Sequence, residues 1–131
     1  MSTTTSTINK VGVVCIPVSD QDRALAFYTD VVGLEKRADV PFGNGYRWVE
    51  AAPPGADTTI AICPPPEGQP AGGKQTGIGL QTDDIDAVHA DLKARGVDVD
   101  DEVSRYGGPV PPMFWLRDPD GNSLIVVEPQ S

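Results

Sequence analysis

A chain of 131 residues, 39% hydrophobic and 22% charged, is long enough for one domain with a packed core. Its net charge of −9 repels nucleic-acid phosphates and anionic lipid head groups, which excludes nucleic acid and membrane surfaces as expected partners. No apolar run is long enough to span a membrane, and the N-terminal stretch has no hydrophobic segment of the secretory type, so a cytoplasmic location is expected.

The first half of the chain has the pattern of a strand, a helix and three strands. After a disordered lead predicted over residues 1–8, the β-branched run at 11–18 predicts a buried strand. A helix follows, with Ser19 or Asp20 as its N-cap and Gly33 at its end. Three more strands are predicted at 34–39, 46–51 and 58–63, which completes a first module over residues 9–66.

The second half repeats this order after a stretch rich in proline and glycine, from which we predict a linker at 67–75. The predicted elements are a strand at 76–83, a helix from Asp83 or Asp84 to Gly96, and strands at 97–103, 113–118 and 122–128. The acidic segment 98–102 is typical of an exposed sheet edge. Together they form a second module over residues 76–129. Two βαβββ modules predict an α+β domain in which mixed sheets form a cupped cleft, with the helices on the outer face.

Three segments resemble the vicinal oxygen chelate superfamily. They are VSDQDRALAFYTDVVGLE at 18–35, the second-module opening at 77–97, and MFWLRDPDGNSLIVVE at 113–128. The resemblance covers about residues 9–129 and implies the two-module fold. The superfamily includes glyoxalases, extradiol dioxygenases, fosfomycin-resistance transferases, epimerases and bleomycin-binding resistance proteins, so the resemblance implies a fold more directly than a function.

Metal-dependent members of this superfamily take a ligand from the first and the last strand of each module. Carried onto this chain, those positions fall at Val13, Ala61, Gly77 and Ile125, and none supplies an imidazole, carboxylate or thiolate. The single histidine, His89, lies within the second predicted helix, where a surface or boundary position is expected. We therefore expect no metal and no other cofactor, with a divalent metal as the alternative.

Strand positions that face the predicted cup provide the candidate binding residues. Successive strand residues point to opposite faces, and aromatic rings combined with a few polar groups are typical of a small-molecule site, although strand aromatics are also typical of a core. The predicted ligand-binding residues are Cys15, Tyr46, Trp48, Glu50, Cys63, Gln81, Met113, Trp115 and Arg117. Cys15 and Cys63 have two further interpretations, as inert buried thiols or as a soft-metal or redox pair.

Three functions remain open on the sequence. The preferred one is a metal-independent protein of the bleomycin-resistance type that binds a hydrophobic or planar compound in the cup. The alternative is a glyoxalase-, lyase- or dioxygenase-type enzyme, without metal or with an atypical metal site, in which Glu50, Arg117 or Tyr46 acts as acid, base or anchor. The third is a scaffold subunit without a ligand. A homodimer is expected because exposed sheet faces and edges need cover.

Overall fold

The first module forms a four-stranded mixed sheet with one helical segment. The structure is a computed structural model that describes residues 7–43 and 45–129. The strands are β1 (Val13–Pro17), β2 (Glu35–Gly43), β3 (Tyr46–Ala52) and β4 (Thr59–Cys63). They lie in the order β1-β4-β3-β2, with β1 parallel to β4 and the other pairs antiparallel. Residues 1–6 of the predicted lead and Asn44 of a predicted turn lie outside the described residues.

The second module repeats this arrangement. Its elements are β5 (Gln75–Gln81), α2 (Ile85–Ala94), β6 (Asp98–Val99), β7 (Met113–Arg117) and β8 (Ser123–Val127). The strand order β5-β8-β7-β6, with β5 parallel to β8, matches that of the first sheet. The predicted α+β fold with two βαβββ modules is therefore confirmed. Within the described residues, neither helical segment is long and apolar enough to cross a bilayer.

The helical segment of the first module begins and ends where the sequence predicts. The Asp20 carboxylate accepts a hydrogen bond from the Arg23 backbone N–H at 3.0 Å, and Gly33 ends the segment with φ of 94°. The helix α1 (Gln21–Ala26) continues, however, as a π-helix over Phe27–Val32. The Thr29 hydroxyl donates to the Leu25 carbonyl at 2.9 Å, and such a bond competes with the regular backbone ladder.

The edge strand β6 is shorter than the predicted strand at 97–103. The backbone N–H of Trp115 donates to the carboxylate of Asp100 at 2.9 Å, so a side chain takes the place of the next backbone acceptor along this edge. The strand lies at the edge of its sheet, as the acidic segment predicts.

One hydrophobic cluster runs through both modules and fixes which face of each sheet is covered. It includes Ile16 and Ile62 of the first sheet and Phe114, Leu116 and Leu124 of the second, each fully buried. Because neighbouring strand residues alternate in direction, the residues between them lie on the opposite face of each sheet. We call that face, turned away from the cluster, the cup face.

A buried polar group joins the two modules. The Tyr28 hydroxyl donates to Asp118 Oδ2 at 2.8 Å, and Asn122 Nδ2 donates to the same oxygen at 3.1 Å and to the Pro17 carbonyl at 2.8 Å. Asp118 is 5% exposed and Asn122 is fully buried. Burial and the neighbouring Asp118 raise the pKa of Tyr28 far above its usual range, so it remains a hydroxyl donor. We call Tyr28, Asp118 and Asn122 the inter-module latch.

Candidate functional site

Three predicted site residues lie together on the cup face of the first sheet. The strand register places Ala61 level with both Cys15 on β1 and Glu50 on β3. Cys63 follows two residues later on β4, level with Pro17. Ala61 contributes only a methyl group and is fully buried in the middle of the sheet, with Cys15 and Glu50 as its neighbours on the two adjacent strands.

Glu50 is the best-defined polar group on this face. Its carboxylate accepts a hydrogen bond from Trp48 Nε1 at 2.5 Å and another from the Thr59 hydroxyl at 2.6 Å. These two hydrogen bonds, that of Thr59 first, hold the pKa of Glu50 below its usual range. The side chain is half-buried and ionised at neutral pH. It therefore presents a fixed negative charge beside an indole ring.

The two thiols beside Glu50 differ in exposure. Cys15 is exposed and Cys63 is half-buried. Burial, and then the nearby thiol of Cys15 and the charge of Glu50, raise the pKa of Cys63 to about 11. Cys63 is consequently a protonated thiol at neutral pH, which makes it a poor nucleophile.

An aromatic cluster lies next to this carboxylate. Trp48 is half-buried and Tyr46, two residues earlier on the same face, is 48% exposed. The ring of Phe42 on β2 lies 5.9 Å from that of Trp48, with a tilt of 56° between them. Sequence reasoning missed Phe42 because the strand predicted at 34–39 ends before it, whereas β2 extends to Gly43 and pairs Val40 with Trp48.

The linker contributes to the same region. A cavity of about 470 Å³ lies against Cys15, Pro17 and Cys63. Its remaining lining comes from Pro64, Pro66, Gln69, Pro70, Lys74 and Thr76. Among the described residues, 64–74 form no helix or strand, and β5 begins at Gln75, the last residue of the predicted linker. The sequence gives one signal for this lining, which is that the proline-rich stretch directly follows Cys63.

The other predicted residues lie on the second sheet. Met113, Trp115 and Arg117 share its cup face, where Met113 is level with Val127 and Trp115 with Ile125. The Arg117 guanidinium donates to the Asp100 carboxylate at 2.9 Å and lies 3.6 Å from that of Asp98. Two carboxylates thus neutralise Arg117, which makes it a weak anchor for an anionic ligand.

Gln81 is separate from these groups. It is exposed on the edge strand β5 and lines a larger cavity of about 840 Å³ between the modules. Much of that lining, such as Ile60, Ile78 and Leu92, belongs to the hydrophobic cluster. The cup face of the first sheet instead combines an ionised carboxylate with aromatic rings, and we place the candidate site there for that reason.

The four positions at which metal-dependent relatives bind a cation are not level with one another across the paired strands. Val13 is level with Thr59 rather than Ala61, and Gly79 is level with Ile125 because β5 is irregular around Gly77, whose φ is 75°. In the parts of the chain that the structure describes, no group of three or more His, Cys, Asp or Glu residues is arranged to hold a metal ion.

His89 is placed as a boundary residue. It is half-buried on α2, its ring lies 4.9 Å from that of Phe114, and its Nε2 lies 2.7 Å from the Asp100 carbonyl oxygen. These contacts account for the histidine as part of the packing between α2 and the second sheet.

Comparisons with known proteins agree with this architecture. An antibiotic binding protein from Streptomyces sp. CB03234, TnmS3, is 38% identical, with a TM-score of 0.83 over 95% of this chain and 99% of that one. A superfamily member from Sphaerobacter thermophilus is also 38% identical, with a TM-score of 0.82 over 92% and 98% of the two chains. The uncharacterised protein YetH of Bacillus subtilis is 31% identical over 92% of this chain and 99% of its own length.

A family model matches most of the chain as well. Residues 9–126 match the model described as glyoxalase/bleomycin resistance protein/dioxygenase superfamily. The chain therefore belongs to the glyoxalase/bleomycin resistance protein/dioxygenase superfamily, which is the vicinal oxygen chelate group that its sequence resembles.

Proposed function

We propose that this protein is a small-molecule-binding protein of the bleomycin-resistance type, which binds a hydrophobic or planar compound on the cup face. The observation that carries the proposal is the site around Ala61, where Trp48 and Glu50 stand beside a position occupied by a single methyl group. Aromatic walls with few polar groups suit such ligands. The likeness to TnmS3, an antibiotic binding protein, supports the same function.

We propose further that binding needs no metal ion. Val13, Ala61, Gly77 and Ile125 have hydrocarbon side chains or none, and divalent ions require nitrogen, oxygen or sulfur ligands. These residues do not fit the metal that other members of the superfamily use, so no step of the proposed function passes through one.

A homodimer is part of the proposal. On or beside the cup face of the first sheet, Val13, Val40, Phe42 and Tyr46 are 43%, 51%, 69% and 48% exposed, so the rest of the chain leaves this face open. A second copy that covers it would both bury these side chains and close the site.

The module bounds and the location are also part of the proposal. We take residues 9–66 and 76–129 as the two modules. A cytoplasmic location fits the two free cysteines, which suit a reducing compartment.

Fluorescence titration with a library of planar aromatic antibiotics tests the function. We expect saturable quenching and a rise in melting temperature, since a ligand at a hundred times its Kd stabilises the folded state by about 2.7 kcal/mol. Comparison of Trp48→Phe with Trp115→Phe assigns the quenched ring. Absence of quenching and thermal shift throughout the library would contradict binding, and stoichiometric Zn, Fe, Ni or Mn that survives dialysis would favour the enzyme.

A further inference from the structure

The carboxylate of Glu50 has no cationic partner among the described residues. The ion pairs of the described chain use other acidic groups, and the causes that lower the pKa of Glu50 are two hydrogen bonds from neutral donors. Arg117, the cation on the other sheet's cup face, is already paired with Asp98 and Asp100. The two neutral donors stabilise the ionised carboxylate but do not neutralise it, so Glu50 contributes a net negative charge to the cup face.

The surroundings of this charge favour one kind of compensation. The Trp48 indole N–H donates to Glu50, which fixes the ring beside the carboxylate, and the Phe42 ring lies next to it. The faces of aromatic rings attract cations, and Trp does so most strongly. An overall charge of −9 also draws cations toward the protein. The apolar neighbours Ala61 and Val40 supply no competing positive charge.

We infer that the cup face selects a ligand with a protonated or quaternary nitrogen, which lies over the face of the Trp48 indole and beside the Glu50 carboxylate. The inference rests on the proposed function and specifies its ligand class as cationic planar compounds. Glu50 then determines specificity by charge, while the rings supply contact area that a neutral compound would use equally well.

A matched pair of probes tests this charge selection. The first is 10-methylacridinium, a permanent cation, and the second is acridine, which has the same three-ring outline and is uncharged at mildly alkaline pH. We expect the wild-type chain to bind the cation roughly 10- to 100-fold more tightly, as expected for a charge-assisted contact. This comparison requires no variant, so a folding defect cannot affect it.

The variant Glu50→Gln then shows whether the charge of Glu50 causes the preference for the cationic probe. Glutamine keeps an acceptor for the Trp48 N–H and can donate to the Thr59 hydroxyl, so the local hydrogen bonds persist without the charge. We expect Glu50→Gln to bind both probes with similar affinity. The control Glu102→Gln makes the same change in net charge at an exposed position of the second module and should keep the preference.

The outcomes separate the two proposals. Equal binding of the two probes by the wild type, or a preference that survives in Glu50→Gln, overturns the charge selection and leaves the binding function standing. Failure of the wild type to bind either ring overturns both proposals for planar ligands. Loss of the preference in Glu50→Gln with its retention in Glu102→Gln supports the inference.

Discussion

The state of Glu50 determines how binding depends on pH. Hydrogen bonds from Thr59 and Trp48 keep its pKa below the ordinary glutamate value of about 4.3. Cys63, with a pKa of about 11, remains neutral in acid and adds no competing titration. The affinity for 10-methylacridinium should therefore be constant between about pH 5 and pH 8 and fall only as the pH drops through the folded pKa of Glu50.

Titration of the probe at a series of pH values measures this dependence. The Glu50→Gln variant is the control and should show no acidic transition assigned to this site. A wild-type transition centred above the ordinary glutamate range would contradict the hydrogen-bonded state of Glu50.

The two cysteines should react at different rates. Cys15 is exposed, whereas burial, the neighbouring Cys15 thiol and the charge of Glu50 together raise the pKa of Cys63 from an ordinary 9.0 to about 11, which lowers its thiolate fraction about 100-fold at neutral pH. Mass spectrometry of iodoacetamide-labelled peptides should show Cys15 modified first and Cys63 much later. In Cys15→Ser the labelling of Cys63 should accelerate, because one cause of its raised pKa is removed. Equal rates in the wild type would contradict this difference.

For single residues, the sequence predicts which side chains share a face of a sheet, but it does not predict which of them form hydrogen bonds. Alternation along β3 places Trp48 and Glu50 together on the cup face. The hydrogen bond from Thr59 depends on the register of β4 against β3, and that register is set by packing along both strands. The pairing of Arg117 with Asp100 likewise requires β6 and β7 to be adjacent.

At the scale of the elements, the linker contains a glycine at which any side chain would clash with the second module. A Cβ on Gly72, whose φ is 81°, would lie 2.1 Å from the backbone carbonyl oxygen of Asp120. Gly68 has nearly the same φ of 80°, but its Cβ would meet nothing within 4 Å. We expect Gly68→Ala to cost about 1 kcal/mol for its left-handed backbone, and Gly72→Ala to cost about 1–3 kcal/mol more for the clash.

Urea unfolding of the two alanine variants measures the difference directly. Because Gly68 carries the same conformational cost, the excess in Gly72→Ala reports the close approach of the linker to Asp120. Equal losses of unfolding free energy would show that the linker does not contact the second module in this way.

The elements themselves are largely predictable, and the exceptions have local causes. Strand patterns and caps predict the order of both modules because the apolar periods and the turn glycines agree with each other. The π-helical turn and the short β6 depart from prediction because single side chains, those of Thr29 and Asp100, make hydrogen bonds to the backbone. A hydrogen bond from one side chain to the backbone produces no repeating pattern in the sequence, so pattern analysis does not detect it.

For the whole molecule, the exposed cup face predicts self-association. Val40→Glu places a charge where a second copy is proposed to pack, and it should shift a dimer to a monomer in sedimentation experiments. Ala90→Glu adds the same charge at an exposed position of α2 and should leave the dimer intact. A wild-type chain that sediments as a monomer at high concentration would contradict the proposed assembly.

The repeat of two modules is visible in the sequence, but the contact between them is not. Tyr28 and Asp118 are 90 positions apart, and nothing in either local pattern connects them. Asp118 lies in a turn segment that reads as an ordinary tight turn, where aspartate is common. Its burial becomes apparent only when the second module packs against the first.

The inter-module latch affects how the molecule unfolds. Asn122 donates to a carbonyl in the first repeat, and Asp118 accepts from a tyrosine there, so each repeat holds polar atoms that only the other can satisfy. If one repeat unfolds, the other repeat loses these hydrogen-bond partners, and its part of the common hydrophobic cluster becomes exposed to water. We therefore expect the two repeats to unfold in a single thermal transition, and we expect neither repeat to fold stably when it is expressed alone.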